Sequence, residues 1–343
     1  LLEKLGVHFQ ACASEASAAA MLGASVNYPI RGAVTWKSTV GTNVASDALA
    51  NLASAGVKGG SVIIVGEDYG EGASIMQERS HAFAMKSQVW LLDPRPNLPK
   101  IVETVEKAFE LSEASSTPVM VELRIRACHV TGEFVAKDNV APALSRNNPI
   151  AEPHFDFGNI VLPPSTYAQE KKKVDVRLPA AIEFIKKQGL NEVFDGTLKD
   201  IGIITQGGMY NAVMRSLSEI GLADSYGNSD VPVYVMNVTY PVVNDEIAAF
   251  CAGKRAVLVV EEGQPDYIEQ AVNVALRKAG LNTIVIGKDV LPMAGEYTLE
   301  VVVTGVAKFI EGSLPGGVDV KRISEAVHAL LAPKKKAVEL LGG

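Results

Sequence analysis

Short apolar runs alternate along the chain with longer stretches in which apolar residues recur at helical spacing. Residues 61–65, for example, are almost continuously apolar and lie between Gly59-Gly60 and Gly66, which is typical of a strand buried on both faces of a parallel sheet. In the first part of the chain, the pattern predicts strands at 33–36, 61–65, 88–92 and 119–125 and helices at 43–55 and 98–113. This alternation predicts a doubly wound α/β domain whose ligand lies beyond the carboxyl ends of the strands.

The same alternation returns in the second half, after a stretch without periodicity. Between residues 137 and 179, repeated prolines and the lysine run at 171–173 interrupt any regular pattern, so we expect an irregular linker. Beyond it, the pattern predicts strands at 200–205, 231–237, 256–260 and 283–286 and helices at 210–220, 245–251, 266–279 and 299–310. We therefore predict two doubly wound α/β domains, 1–136 and 180–330, joined by the linker 137–179 and followed by a tail at 331–343.

The composition is that of a well-packed globular protein. The 343 residues are 48% hydrophobic and 21% charged, which excludes disorder of the whole chain, and the length is enough for two domains. A formal net charge of -7 argues against nucleic acid or an anionic membrane as the main partner, because both require clustered basic surface. No apolar run reaches the roughly 18 residues that a transmembrane helix needs.

Cysteine and histidine show no metal-binding or disulfide pattern. Cys12, Cys128 and Cys251 are odd in number and have no CxxC spacing, so we predict neither a disulfide framework nor a zinc or iron–sulfur site. The five histidines also lack the spacing of metal ligands. This use of cysteine is typical of a reducing compartment, and we expect the protein in the cytoplasm.

Three polar clusters interrupt apolar surroundings. Glu15 opens an otherwise small and apolar helical segment, residues 35–43 read TWKSTVGTN, and residues 75–84 read IMQERSHAFA. The simplest interpretation of Glu15 is an acid in the first turn of a helix, favoured by the helix dipole and preceded by Ser14 as the cap.

Together these three segments resemble the pyrimidine-binding domain of thiamine-diphosphate-dependent 2-oxoacid:ferredoxin oxidoreductases, and most closely the alpha subunits of the indolepyruvate enzymes. Residues 205–210, 260–264 and 287–292 resemble the transketolase C-terminal-like domain of the same family. The resemblance covers nearly the whole chain and is densest over 11–135 and 198–305. It implies oxidative decarboxylation of indolepyruvate or another aryl 2-oxoacid with coenzyme A to acyl-CoA, CO2 and reduced ferredoxin, with thiamine diphosphate as the cofactor.

The resemblance also implies roles for individual residues. Glu15 would bind the aminopyrimidine ring of the cofactor and favour the tautomer that activates it, a role that suits a carboxyl group in an apolar slot. Arg79 would hold the substrate carboxylate through two parallel hydrogen bonds. The remaining implied contacts are Gly41, Thr42 and Asn43 to the cofactor and Lys37, Gln77 and His129 to the substrate.

Some of the polar residues also have structural interpretations. Arg79 can instead pair with Glu71 or Glu78 on a solvated helix face. The acidic pair at 261–262 follows an apolar strand, and there we expect surface carboxylates. The glycines of residues 202–208 lack GxGxxG and GK[ST] spacing, so we expect them to permit close packing of a strand and a helix rather than to bind a nucleotide.

Several parts of such an enzyme are not in this sequence. It lacks the family's diphosphate-binding domain, with its GDG-type magnesium motif, and the ferredoxin-like cysteine clusters. We therefore expect Mg2+ and 4Fe-4S clusters to be bound outside these residues, either further along a longer chain or in a partner; the absence of an initiator Met fits a longer protein. The implied partners are a gamma- or beta-type subunit, ferredoxin or another electron acceptor, and further copies of the alpha subunit in a homo-oligomer.

Two alternatives stay open on the sequence. A sibling enzyme for phenylglyoxylate, pyruvate or branched-chain 2-oxoacids shares the chemistry and differs in the substrate pocket. The second alternative is a non-catalytic assembly subunit of the same fold, which serves as an interaction scaffold. In that case a change of Glu15 would not lower the activity of the complex. The sequence does not identify the substrate side chain or the electron acceptor.

Overall fold

The computed structural model describes the chain except for residues 68, 70–75, 78, 151, 153, 315–317 and 342–343, and except for the side chains of 334–341. The chain forms two units. The first unit comprises Leu1–Asp68, Glu78–Leu190 and Val238–Pro241, and the second comprises Tyr69–Gln77, Asn191–Asn237 and Val242–Gly343.

Strands and helices alternate through both units. The strands are β1 (Gly32–Lys37), β2 (Ser61–Glu67), β3 (Trp90–Leu92), β4 (Val119–Arg124), β5 (Glu192–Phe194), β6 (Ile201–Gln206), β7 (Val233–Met236), β8 (Val238–Tyr240), β9 (Ala256–Val260) and β10 (Ile284–Ile286). The α-helices are α1 (Glu15–Leu22), α2 (Ser38–Ala55), α3 (Ser80–Ser87), α4 (Leu98–Ser115), α5 (Ile125–Cys128), α6 (Ser165–Lys172), α7 (Leu178–Gln188), α8 (Tyr210–Glu219), α9 (Asn244–Cys251), α10 (Tyr267–Lys278), α11 (Leu299–Ser313) and α12 (Val320–Leu341). Short 3-10 turns lie at Gly23–Val26, Phe157–Asn159 and Gly207–Met209, and a π-helical turn lies at Lys173–Arg177.

The first unit is built on a sheet in the order β1-β2-β4-β3-β8. The first four of these strands are parallel, and β8 is antiparallel to β3 at the edge. Helices α1, α2 and α3 contribute to one buried apolar cluster with the sheet, which includes Leu49, Phe83 and Met120. Helix α4 also packs on β2 and β4, through residues outside this cluster. The apolar run of β2 is therefore a central, buried strand, as the sequence predicted.

The second unit repeats this arrangement with the sheet order β10-β9-β6-β7-β5. All neighbouring strands are parallel except β5, which is antiparallel to β7 at the edge. One apolar cluster joins the sheet to α8 and α11 through residues such as Leu217 and Val303. Another joins it to α9 and α10 through Ile247 and Val272. Helices thus cover both faces of a mostly parallel sheet, which confirms the predicted doubly wound α/β fold.

Helix α2 begins earlier than the sequence pattern suggested. It runs from Ser38, directly after β1, whereas the pattern placed its start at Asn43 and a turn at Gly41-Thr42. Serine, threonine and glycine have low helix propensity, so the composition of the first turns disguises them. Burial of Thr39, Gly41 and Thr42 inside the unit fixes this stretch as helix.

Much of the stretch predicted as an irregular linker is helical. From Ser165 onward, α6, the π-helical turn and α7 follow one another without a break, and α7 packs on α4 within the first unit, which extends to Leu190. Two of the prolines that suggested a linker stand at helix starts, where the missing N–H is tolerated. Pro164 precedes α6, and Pro179 lies in the first turn of α7.

Arg177 explains why this helical stretch belongs to the first unit. Its buried guanidinium donates hydrogen bonds to the backbone carbonyls of Ala53 and Ala55, each at 2.8 Å, and of Ser54 at 3.3 Å. These carbonyls end α2, so the cation supplies partners that the helix itself lacks and complements the helix dipole. Arg177 and Ala53 are 124 positions apart in the sequence, a separation that no local pattern reveals.

Candidate functional site

Charged residues gather at the carboxyl edge of the first sheet. Glu67 ends β2, Asp93 directly follows β3, and Glu122 and Arg124 lie near the end of β4. All four are at most 3% exposed. In the register of β2 and β4, Glu67 pairs with Arg124 and Val65 with Glu122, so both glutamates and the arginine lie on one face of the sheet.

Ion pairs and one short hydrogen bond connect these residues to each other and to α3. Arg124 donates from Nε to Asp93 Oδ2 at 3.1 Å, and its Nη2 lies 2.8 Å from Glu122 Oε1. Glu67 Oε1 accepts the backbone N–H of Ser80, the first residue of α3, at 2.6 Å. Glu67 thus occupies the N-terminal end of this helix, where the helix dipole favours a carboxylate.

Arg79 and His81 bring the start of α3 into the same group of charges. Arg79 directly precedes α3 and is 6% exposed. Burial, and then the positive charges of Arg79 and Arg124, lower the pKa of His81 to about 3, so this imidazole is neutral near pH 7. We call the whole group the edge cluster; its members are Glu67, Arg79, His81, Asp93, Glu122 and Arg124.

Glu122 is the acid of the edge cluster whose pKa is raised. Burial raises the pKa of Glu122 well above its usual range; Arg124 opposes this shift, and the charge of Glu67 and a hydrogen bond with Glu67 reinforce it. Two carboxyl groups side by side in a buried place disfavour a second negative charge. The raised pKa of Glu122 favours its neutral form, which carries less negative charge toward the two guanidinium groups.

The buried position of Arg79 excludes one of the two interpretations drawn from the sequence. The interpretation that Arg79 lies on a solvated helix face is wrong, because Arg79 is buried at the carboxyl edge of the sheet. Glu71 and Glu78, the ion-pair partners suggested for that face, lie outside the described residues. The role of Arg79 in substrate binding stays a prediction.

Glu15 begins α1 as the sequence suggested. Ser14 caps this helix, and its side chain accepts the N–H of Ser17 at 3.3 Å. Glu15 is the one charged residue of α1 and is partly buried, so its carboxylate remains accessible to a ligand. Because α1 packs on α2 and β1, Glu15 lies on an element adjacent to the segment that carries the other predicted cofactor contacts.

Gly41 and Thr42 hold the side chain of Trp36. The indole Nε1 of Trp36 donates a hydrogen bond to Thr42 Oγ1 at 3.1 Å. A Cβ atom on Gly41 would lie 2.5 Å from Trp36 Cδ1, so only glycine permits this close approach. Both residues are buried and pack against Trp36, and their contact with the cofactor stays a prediction.

The other predicted contacts lie at the surface. Lys37 ends β1, Asn43 lies on α2 and His129 follows α5, and all three are exposed. Gln77 is also exposed but belongs to the second unit, whereas Arg79 belongs to the first. The cofactor and substrate roles of these residues stay predictions.

Sequence reasoning missed most of the edge cluster. Glu67, Asp93 and Glu122 received no role, although each stands at or near the end of an apolar run that forms a strand of the sheet. Functional groups of open α/β sheets concentrate at these strand ends. A search for the first polar residue after each predicted strand would have identified Glu67 and Asp93 but not Glu122.

The carboxyl edge of the second sheet is arranged differently. Glu261 and Glu262 are 1% and 2% exposed, so the prediction of surface carboxylates is wrong. Glu261 accepts the backbone N–H groups of Ile268 and Glu269 at the start of α10, at 2.9 and 3.0 Å, and Glu262 accepts the N–H of Tyr297 at 2.7 Å. Both carboxyl groups bind the backbone of their own unit, which explains their burial.

The glycines of the second unit have the packing role that the sequence suggested. A Cβ atom on Gly202 would lie 2.8 Å from the ring of Phe250 on α9, so glycine allows this helix to approach β6. In the described part of the chain, no three His, Cys, Asp or Glu side chains form a group that could hold a metal ion. None of the described helices is long and apolar enough to cross a membrane.

We predict that Gly41→Ala destabilises the first unit. The added methyl group forces the Trp36 indole to move, and overpacking of this kind costs about 1–3 kcal/mol, more than the roughly 1 kcal/mol gained from helix propensity. Urea unfolding followed by tryptophan fluorescence measures the change. Gly23→Ala is the matched control, because its Cβ would meet no atom within 4 Å and should leave stability and emission nearly unchanged. Equal stability of both variants would contradict the packing role.

The chain is similar in sequence to several known proteins, although no family model matches it. Indolepyruvate oxidoreductase subunit IorA of Methanothermobacter marburgensis is 29% identical over 308 residues, which are 88% of this chain and 47% of that protein. The protein of the same name from Methanothermobacter thermautotrophicus is 29% identical over 328 residues, 94% of this chain and 49% of that protein. The chain thus spans about half the length of these curated relatives.

A solved structure shares the fold. The 2-oxoglutarate:ferredoxin oxidoreductase from Magnetococcus marinus, with 2-oxoglutarate, coenzyme A and succinyl-CoA bound, matches with a TM-score of 0.60 at 16% sequence identity. The match covers 90% of this chain and 58% of that one and supports the α/β fold of both units. The sequence similarity to the IorA proteins confirms the resemblance to the alpha subunits of indolepyruvate oxidoreductases that the three polar segments had indicated.

Proposed function

We propose that this chain is part of the alpha subunit of a 2-oxoacid:ferredoxin oxidoreductase. The enzyme would oxidatively decarboxylate indolepyruvate, or another aryl 2-oxoacid, with coenzyme A to acyl-CoA, CO2 and reduced ferredoxin. The observation that carries this proposal is the similarity to IorA proteins, which extends over 88% or more of the chain and includes both units. The expected cytoplasmic location stays a prediction.

The first unit offers a carboxyl group that suits the pyrimidine side of thiamine diphosphate. Glu15 is accessible, begins a helix with no other charge and follows a helix cap. When bound, thiamine diphosphate supplies the nucleophilic carbon that attacks the keto group of the substrate. Glu15 would hold the pyrimidine ring and share a proton with its ring nitrogen. Gly41 and Thr42, which pack against Trp36, and the exposed Asn43 are the further proposed contacts to the cofactor.

Arg79 suits the carboxylate of the 2-oxoacid. It stands at the carboxyl edge of a doubly wound sheet, where ligands of such folds bind. The raised pKa of the neighbouring Glu122 favours its neutral form, which limits the negative charge that would repel an anionic substrate. A planar guanidinium holds a carboxylate by two parallel hydrogen bonds and so fixes the keto carbon. Further substrate contacts are proposed for the exposed residues Lys37, Gln77 and His129.

Other parts of the reaction require groups outside these 343 residues. Mg2+ and the cofactor diphosphate would be held by a domain or subunit beyond this sequence, and 4Fe-4S clusters would carry electrons to ferredoxin or another acceptor. A gamma- or beta-type subunit and a homo-oligomer of the alpha subunit complete the proposed assembly. The relatives support this in that each is named as one subunit and is about twice as long as this chain.

The purified enzyme tests the substrate class directly. Its rates with indolepyruvate, phenylglyoxylate, pyruvate and a branched-chain 2-oxoacid, each with coenzyme A and an artificial electron acceptor, should be highest for indolepyruvate. Preference for another acid would favour the sibling oxidoreductase, and no turnover of any 2-oxoacid would favour the assembly subunit.

We predict that Glu15→Gln leaves the fold intact and lowers turnover by roughly two to four orders of magnitude, the range for loss of a positioned proton-transfer group. Steady-state kinetics with saturating thiamine diphosphate measure the loss. Glu133→Gln, an exposed acid of the same unit, is the control and should retain activity. Activity of Glu15→Gln within about threefold of wild type would contradict the assignment.

We predict that Arg79→Lys weakens substrate binding, because an ammonium group cannot form the two parallel hydrogen bonds of a guanidinium. Arg79→Ala should lose roughly 1.5–3 kcal/mol of apparent transition-state binding, obtained from the ratio of kcat/KM values. Thermal unfolding of each variant checks that the unit remains folded, and Arg146→Lys at an exposed position serves as the control. An unchanged kcat/KM in Arg79→Lys would assign Arg79 a structural role only.

A further inference from the structure

We propose that Glu67 is a positioning residue for Arg79. Its carboxylate holds the first turn of α3 against the end of β2 and thereby places the Arg79 guanidinium at the carboxyl edge of the sheet. The inference deepens the proposed function, because it rests on Arg79 as the group that binds the substrate carboxylate.

The contact between Glu67 and α3 is direct. Glu67 is 2% exposed, and its Oε1 accepts the N–H of Ser80 at 2.6 Å. Arg79 immediately precedes Ser80 and has extended backbone angles, φ −106° and ψ 132°, as is usual for a residue that caps a helix. Movement of the Ser80 amide therefore moves the backbone of Arg79 by nearly the same amount.

The start of α3 relies on an acceptor that lies outside the helix. The helix has only eight residues, and the side chain of its cap residue makes no capping hydrogen bond. By contrast, Ser14 caps α1 and Asn97 caps α4, each within its own segment. A short helix gains most of its stability from tertiary contacts. For α3 the acceptor comes from the sheet, so the start of the helix is tied to the end of β2.

The edge cluster in turn fixes Glu67. Its strand is paired on both sides, and Glu67 itself is in register with Arg124. Arg124 is held between Asp93 at 3.1 Å and Glu122 at 2.8 Å. Burial and the neighbouring Glu67 raise the pKa of Glu122, which favours its neutral form and weakens the repulsion between the two carboxyl groups. A line of contacts therefore runs from the sheet through Glu67 to Arg79.

In the competing interpretation, Glu67 caps α3 and has no influence on Arg79. Three variants distinguish the two interpretations. Glu67→Ala removes the acceptor. Glu67→Gln keeps Oε1 as an acceptor for the Ser80 N–H. Asn97→Ala removes the cap of α4, in which Asn97 Oδ1 accepts the N–H of Lys100 at 3.2 Å, and so controls for the cost of losing a helix cap in the same unit.

Kinetics of the assembled enzyme with indolepyruvate form the first arm. We expect Glu67→Ala to raise KM about tenfold or more with a smaller fall in kcat, because a carboxylate contact is made in both the ground state and the transition state. Glu67→Gln should stay within about threefold of wild type, and Asn97→Ala should lower the melting temperature without a change in KM. An unchanged KM in Glu67→Ala, alongside a raised KM in Arg79→Ala, would overturn the inference and leave the proposed function standing.

Labelling of Arg79 by phenylglyoxal, followed by peptide mass spectrometry, forms the second arm and does not depend on turnover. We expect Glu67→Ala to label Arg79 about tenfold faster than wild type, because the guanidinium leaves its buried position. Glu67→Gln and Asn97→Ala should label near the wild-type rate. A wild-type rate in Glu67→Ala, or equal acceleration in Asn97→Ala, would show that Glu67 only caps a helix. Normal KM in Arg79→Ala would instead count against the proposed role of Arg79, whatever the labelling shows.

Discussion

Burial of charge at the carboxyl edge of the first sheet is the constraint on which the candidate site depends. Removing an ion from water costs several kcal/mol, and only well-placed partners offset this cost. Arg124 meets that condition between Asp93 and Glu122, and Glu67 meets it at the N-terminus of α3. The Arg124–Asp93 contact joins the ends of β4 and β3, and the Glu67–Ser80 contact joins β2 to α3, so these strand ends and α3 must be in place for both contacts to form. A single displacement would leave a buried charge without its partner.

The two units use the same fold position in different ways. In the first unit, the carboxyl edge carries two arginines, a neutral histidine and three carboxyl groups, of which Glu122 has a raised pKa, and the arginines suit an anionic ligand. In the second unit, Glu261 and Glu262 at the equivalent edge bind backbone N–H groups of their own unit. The proposed chemistry is therefore assigned to the first unit, although both sheets end in buried acids.

Local patterns were sufficient for the fold class and for the parallel strands, but they did not predict the antiparallel edge strands β5 and β8. Continuous apolar runs such as that of β2 predicted central parallel strands, because burial on both faces leaves no polar positions. Contacts between distant residues were beyond such patterns: Glu67 and Ser80 are 13 positions apart, Arg124 and Asp93 are 31, and Arg177 and Ala53 are 124. For the same reason, the sequence pattern indicated a linker after Ser165, because it does not show that Arg177 binds the end of α2.

The central claim is that this chain contributes the pyrimidine side of a thiamine diphosphate site and that its diphosphate side lies elsewhere. Calorimetric titration of residues 1–343 alone with thiamine diphosphate and Mg2+ tests this claim most directly. Because the charged half of the ligand lacks its metal and phosphate contacts in this chain, we expect a dissociation constant above about 1 mM, a binding free energy of less than about 4 kcal/mol. Micromolar binding to the isolated chain would contradict the account and would mean that a complete cofactor site exists within these residues.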